Sequence, residues 1–329
     1  MTVEEFYRLL FCPACKGDLT LQNAATQFYC SACSYTFPII DGIPVLMPCN
    51  VVENMERLFG RYWDPETRAT MYDAEVGGTD IFGVHNHMSE MQGLLRYLDR
   101  SKLDPILDAG CGNGRFLAAL PAEASSVGLD ASLNLLRIAR SKKRGQFHVC
   151  AELEHLPFRD GQFGTVISCR VLQHLVKQED AIHELCRVVR KQGSVVLELY
   201  NQWNPKTLYK NIRMSRWHKV FNWPFRLVLH SMSPFDHWGL TYDHYNNWFE
   251  TKRWLRESGM QDFEGRGVGF GFHKYLFEPL YINAVAQKHW PRALQRYYDA
   301  CLWFERHFGT VVPWRYTMEK FVIRAVKEP

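Results

Sequence analysis

The chain has 329 residues, 47% hydrophobic and 14% aromatic, with 39 lysines and arginines against 35 acidic side chains. Such a length and apolar content exclude a disordered tail protein and a disulfide miniprotein, and leave room for one large domain with attachments or for two domains. The net charge of +4 argues for neither nucleic acid nor membrane, but it hides a split. Residues 1–200 carry 20 basic and 24 acidic side chains and residues 201–329 carry 19 and 11, and nine of the ten tryptophans lie beyond residue 200.

The start, MTVEEFYRLL, has acidic residues where a basic leader region would stand and predicts no signal peptide. No apolar run approaches the ~18 residues that span a bilayer. Four of the ten cysteines form two CxxC pairs and six are scattered, a usage that suits a reducing, cytoplasmic location.

Within residues 1–50, Cys12 and Cys15 form one CxxC pair, Cys30 and Cys33 the other, with fourteen residues between the pairs. Each CxxC aims two thiolates at one point, and a short hairpin in the spacer returns the second pair, which predicts a closed four-thiolate Zn2+ site. Iron also suits four thiolates. Four protein ligands leave no open position, so the metal is expected to be structural. The run Cys12-Pro13-x-Cys15-x-Gly17-x-Leu19, Tyr29-Cys30-x-x-Cys33 and Tyr35-x-Phe37-Pro38-Ile39-x-Asp41-Gly42-Ile43-Pro44 resembles the Trm112-like zinc-binding domains. Such domains act alone as partners of methyltransferases or are fused in front of them. A nucleic-acid finger is the other reading, against which Lys16 is the only basic residue from Phe11 to Val45.

Residues 51–100 read as a helical connector or lid, with helices near 52–60 and 87–99 broken apart by Gly77 and Gly78. Met88, Met91, Leu94, Leu95 and Leu98 give the second helix one apolar face. The cluster His85-Asn86-His87 falls just before it, where a loop can present groups to a ligand.

From residue 101 the pattern is α/β. Pro105 to Gly114 reads as a strand entering a glycine turn, with a helix expected from about Arg115. A second strand, Ala124 to Asp130, ends in a carboxylate that can take both ribose hydroxyls of a nucleoside. The turn at 109–114 holds no Lys or Arg for a pyrophosphate, and Asp108 would repel one. LDAGCGNG, LDAS, Glu152 to Phe158 with Asp160-Gly161-Gln162-Phe163, Val166 to Leu175 and Leu185 to Leu199 together resemble class I S-adenosylmethionine-dependent methyltransferases, close to the methyltransferase-11 group.

That resemblance implies a Rossmann-like seven-stranded sheet in the order 3-2-1-4-5-7-6, with strands six and seven at Asp262–Val268 and Lys320–Val326. It implies a cofactor set of Asp108, Gly110, Cys111, Gly112, Asn113, Gly114, Asp130, Ala131, Glu152, Leu153, Cys169 and Arg170. In it Gly110 and Gly112 shape the methionine pocket and Asp130 holds the ribose. Glu152 and the Leu153 amide address the adenine, and Cys169 and Arg170 line the exit of strand four. Glu152 replaces the usual Asp, Gly164 a common aspartate, and Lys191-Gln192-Gly193 the common Pro-Gly-Gly turn. Cys111, Cys150, Cys169 and Cys186 read as buried small residues in preference to nucleophiles.

Two insertions, about 201–248 and 270–317, are too long and aromatic for passive loops. They are expected to fold as a helical cap over the carboxyl ends of the strands, around a helix at 251–258 that leads into strand six. Arg213, Arg216, Lys219 and Arg226 alternate with Trp217, Phe221, Trp223 and Phe225 in the first. Phosphate and base contacts are one use of such a pattern and a pocket for a small or lipid-like acceptor another. The absence of a dense cationic cluster favours the acceptor pocket.

The expected function is methyl transfer to an O, N or C nucleophile. RNA is the alternative acceptor, and a non-catalytic scaffold on the same fold a third reading. The ribbon fusion also resembles bacterial ribosomal RNA guanine-N1 methyltransferases, which have a His among their ribbon ligands and no such aromatic extension. Alignment does most of the chemistry, and a base helps only where the nucleophile starts protonated. His174, on the helix expected after strand four, and His85, His87, Tyr242 and His244 are the candidate bases.

Overall fold

The computed structural model of the chain describes residues 1–47, 81–98, 105–121, 123–204, 245–270 and 282–329. In the ribbon, α1 (Val3–Leu9) is followed by four antiparallel strands, β1 (Leu19–Gln22), β2 (Gln27–Cys30), β3 (Tyr35–Ile40) and β4 (Ile43–Pro44). After it come α2 (Ile81–Leu95), β5 (Ile106–Ala109), β6 (Ser126–Asp130), α3 (Leu133–Ser141), β7 (Phe147–Cys150), β8 (Phe163–Cys169), α4 (Gln178–Val188) and β9 (Val189–Tyr200). The chain closes with α5 (Trp248–Glu257), β10 (Met260–Val268), α6 (Ile282–His289), α7 (Pro291–Phe308), α8 (Trp314–Thr317) and β11 (Lys320–Lys327).

The large sheet has the order β7-β6-β5-β8-β9-β11-β10. Strands β5 to β9 are parallel, and β11 inserts antiparallel between β9 and β10. This is the 3-2-1-4-5-7-6 arrangement expected from the motifs. Alternation along each strand sends side chains to opposite faces. Leu107, Val166, Val195, Leu197, Phe321 and Ile323 pack into one core layer. Ile106, Ile167, Val196 and Val322 pack into the other, beneath Met91, Leu94 and Tyr97 of α2 and its end.

The ribbon shares the first of these layers: Phe6, Leu10, Cys12, Phe28, Cys30, Phe37 and Leu46 join the core that contains Val127 and Val149. It also extends the sheet. Val45 bridges to Cys150 in parallel, the Leu46 amide donates to the Cys150 carbonyl at 2.8 Å, and Phe6 stacks on Phe147 with centroids 4.7 Å apart. On its other flank the Phe11 amide donates to Pro157 and the Arg159 amide to Leu9.

Three expectations are corrected. Helix α2 begins at Ile81, so His85-Asn86-His87 lies inside it, and Met88 is 42% exposed although its neighbours on the expected apolar face are covered. The segment after the glycine turn forms a short 3-10 turn, Leu117–Ala119, in place of the expected α-helix. His174 likewise closes a 3-10 turn, Leu172–His174, and α4 starts only at Gln178. Helix α7 of the second insertion lies against α2, with Tyr298 stacked on His85 and Ser89 bonded to Glu305, and meets the carboxyl end of β10 where the Gly267 amide donates to Gly309. Most of the first insertion, Tyr242 and His244 included, and the helix expected at 52–60 lie outside the described residues.

Candidate active site

The glycine turn after β5 is built to bend. Gly110, Gly112 and Gly114 all have positive φ, and a Cβ on Gly110 would come within 2.2 Å of the Val171 side chain. The turn is also tied down. Its amides do not point outward together: Gly110 and Cys111 donate to the Leu129 carbonyl at 2.7 and 2.9 Å, and Gly112 donates to Asp130 Oδ2 at 2.8 Å. Asp130 Oδ1 accepts from the Ser132 amide at 2.9 Å. The Asn113 carbonyl accepts from Arg144 at 3.0 Å, and the Ala131 carbonyl from the Cys150 thiol at 3.4 Å. A pyrophosphate cradle needs converging free amides and a helix N-terminus. Here three amides are committed to β6 and a 3-10 turn stands where the helix would be.

Two carboxyls flank this turn. Asp108 is 1% exposed, and among the described residues neither of its oxygens has a hydrogen-bond partner. Burial pushes its pKa up to about 7, against the pull of Arg115. Asp130 is also raised by burial, opposed by the amides of Ser132 and Gly112. On the far side of β6, Glu152 lies half-buried with a carboxylate oxygen 3.5 Å from His155 Nδ1, and Leu153 is buried at the start of the turn Leu153–His155. The expected cofactor residues thus line the carboxyl ends of β5, β6, β7 and β8.

Behind them lies a charge cluster that the motifs did not reveal. Glu90 of α2 is fully buried and lies 2.6 Å from Arg115, 3.1 Å from Arg170 and 2.5 Å from Lys320. Lys320, at the start of β11, also lies 3.6 Å from Glu198 of β9. Burial opposes charge on Glu90, but the three cations hold it well below the usual carboxylate range. Burial likewise opposes charge on Lys320, and Glu90 and Glu198 keep it above the ordinary lysine range. Glu198 is pushed up by burial, against the pull of Lys320. Arg115 is committed to this cluster, with further contacts to His87 Nδ1 at 3.3 Å and the Cys169 sulfur at 3.6 Å. Lys320 and Glu198 did leave a signal, being charges inside otherwise apolar strand runs that require buried partners.

The candidate bases separate. His85 is 2% exposed and stacks on Tyr298. His87 sits beside Arg115, its pKa lowered first by burial and then by that guanidinium. His174 lies with Nε2 3.0 Å from the Gln173 amide nitrogen. Burial holds the thiols of Cys111, Cys169 and Cys186 high, the last at about 12, which removes them as nucleophiles.

In the ribbon the sulfurs of Cys12, Cys15, Cys30 and Cys33 lie within 4.8 Å of one another, with Cys12–Cys33 at 3.6 Å and Cys15–Cys30 at 3.4 Å. A tetrahedron with metal–sulfur bonds of about 2.3 Å has edges of about 3.8 Å, so this donor set suits Zn2+. Gly17 is required beside it, because a Cβ there would lie 2.8 Å from Ala32 and 3.2 Å from two of the sulfurs.

Residues 107–197 match the family described as methyltransferase domain, and residues 4–42 the family of Trm112p-like proteins. A tRNA (carboxymethyluridine(34)-5-O)-methyltransferase of Arabidopsis thaliana is 39% identical over 98 residues, 29% of this chain and 24% of that protein. A malonyl-[acyl-carrier protein] O-methyltransferase of a Marinomonas species is 31% identical over 118 residues, 34% of this chain and 44% of that protein. The chain thus spans less than half the length of these relatives. A solved S-adenosylmethionine-dependent methyltransferase of Thermotoga maritima, described as a possible histamine N-methyltransferase, shares the fold at a TM-score of 0.50 and 18% identity, covering 84% of this chain and 99% of that one. The chain therefore carries a Trm112p-like domain over residues 4–42 and a methyltransferase domain over residues 107–197.

Proposed function

We propose that the chain transfers the methyl group of S-adenosylmethionine to an O, N or C nucleophile of a small or lipid-like acceptor. The observation that carries this reading is the pairing of a glycine turn whose amides are committed to β6 with a partnerless buried carboxyl, Asp108. That combination disfavours a pyrophosphate and favours a cationic nucleoside. The bound cofactor supplies an activated methyl group on a sulfonium. Asp108 offers that cation its counter-charge, Asp130 keeps lone pairs for the ribose hydroxyls, and Glu152 with the Leu153 amide takes the adenine edge. Cys169 and Arg170 close the cleft at the end of β8.

Held there, the cofactor would offer its methyl carbon to the acceptor lone pair and its sulfur would leave as a neutral thioether. A proton on the acceptor passes to His87, His174 or water. In the ribbon, Cys12, Cys15, Cys30 and Cys33 hold a structural Zn2+.

The tRNA activity in the name of the Arabidopsis relative supports a second reading, in which RNA is the acceptor. Labelled S-adenosylmethionine, incubated with the protein and fractionated cell extract with and without nuclease, separates them. Label in a nuclease-resistant small-molecule or lipid fraction, lost with Asp130→Ala, is expected. Nuclease-sensitive label selects RNA, and failure to bind the cofactor at all leaves the scaffold reading.

A further inference from the structure

The tryptophan-rich end of the chain does not bury all its rings. On α7 the inward side carries Tyr298, Cys301, Leu302 and Glu305, all buried, the last bonded to Ser89 of α2 at 2.6 Å. The opposite side presents Arg292, Arg296, Trp303 and His307 at helical spacing, with Trp303 55% exposed. The patch continues past the helix. Trp303 meets Phe308 at 6.1 Å between centroids, Phe304 links Phe308 to Trp314, and between those two lie Val311 and Val312, the latter 64% exposed. Single exposed apolar residues are ordinary, but a contiguous patch with basic residues beside it is not.

The charge around the patch is mainly positive, with Asp299 an exposed acidic side chain on the same face. From 282 to 317 there are five lysines and arginines and two acidic residues, and one of those, Glu305, is buried against α2 while the other, Asp299, accepts from the Gln295 amide at 2.9 Å. Lys288, Arg292, Arg296 and Arg306 are exposed. Rings with a polar edge beside arginines on one side of a helix form the composition of an interfacial helix at an anionic lipid surface.

We propose that the outer face of α7 and the turn into α8 dock the protein on anionic phospholipid membranes. Trp303, Phe308 and Val312 enter the headgroup boundary and Arg292 and Arg296 meet the phosphates. Docking of this kind is independent of the methyl acceptor, since soluble and lipid acceptors are both compatible with it.

Flotation of the full chain with phosphatidylcholine vesicles, with or without phosphatidylglycerol, tests the proposal at low and at moderate salt. The expected result is flotation only with phosphatidylglycerol, weakened by salt, and reduced by roughly tenfold or more in both Trp303→Glu/Val312→Glu and Arg292→Glu/Arg296→Glu. Both pairs are exposed, so thermal unfolding and S-adenosylmethionine binding should remain those of the wild type. Wild-type protein that stays unbound on phosphatidylglycerol vesicles overturns the proposal, as does equal flotation of the variants. So does self-association that both variants abolish without any vesicle binding, which assigns the face to a second copy of the chain. Cofactor binding in the same samples keeps a failure here distinct from a failure of the methyltransferase reading.

Discussion

Asp108→Asn should stabilise the cofactor-free protein at alkaline pH. The carboxyl is buried without a hydrogen-bond partner among the described residues, and its pKa rises from the ordinary 3.8 to about 7 in the folded chain. Because the folded value is the higher one, its contribution to stability is full below the unfolded pKa and is lost as pH rises through the folded pKa. Displacement by about three pH units, at about 1.4 kcal/mol each, gives a total of the order of 4 kcal/mol. Roughly 2 kcal/mol of that develops between about pH 5.5 and pH 8.5, a window in which the unfolded carboxyl is already ionised. Asparagine keeps the shape and cannot ionise. Urea denaturation of both zinc-loaded proteins across that window should show the variant gaining on the wild type by about 2 kcal/mol, with metal effects cancelling in the difference. A constant offset between the two proteins is immaterial. A difference flat with pH to within about 0.5 kcal/mol would refute the assignment of a buried, uncompensated carboxyl.

The same group predicts a proton inventory. A cation bound beside Asp108 favours its ionised form, so S-adenosylmethionine binding near pH 7 should release about half a proton. Calorimetry in buffers of different ionisation enthalpy measures this, and release undiminished in Asp108→Asn would place the proton elsewhere. Glu90→Gln leaves the buried Lys320 and the partly buried Arg115 and Arg170 with one carboxylate fewer and should cost about 3–5 kcal/mol. A urea denaturation loss below about 1 kcal/mol would show that the cluster is not held as described. Chelation, or Cys30→Ser, should release one equivalent of zinc and lower the thermal midpoint, because Cys12 and Cys30 lie inside the shared core. An unchanged midpoint after verified metal loss contradicts that coupling.

The strands and the four-cysteine cluster were legible in local letters, and the strand order followed from the family resemblance that the motifs carry. The paired CxxC spacing names its own partners, and alternating apolar runs bounded by glycine turns name strands. Helix α2 was less legible. Its first turn, Ile81 to His87, mixes apolar and polar letters because His85 and Glu90 are buried against other elements and not against solvent. The helix expected after Gly114 is absent because nothing in the local sequence records that Phe116 and Leu117 are drawn into separate cores. Least legible was the cluster on Glu90. Lys320 lies 230 residues away in the chain, and only the assembled sheet brings Arg115, Arg170 and Lys320 to one carboxylate.

The join between β4 and β7 has a consequence for the sheet as a whole. An edge strand offers unpaired amides and carbonyls to any passing chain, and β7 is the outermost strand on its side of the sheet. The ribbon occupies that margin through Val45 and Leu46. Because it is fused, it does so at a concentration set by the linker and not by the cell, so the guard cannot be diluted away. Its attachment point, Cys150, is two residues from Glu152. Unseating the ribbon would therefore bare an aggregation-prone margin and loosen the wall of the nucleoside cleft in the same event.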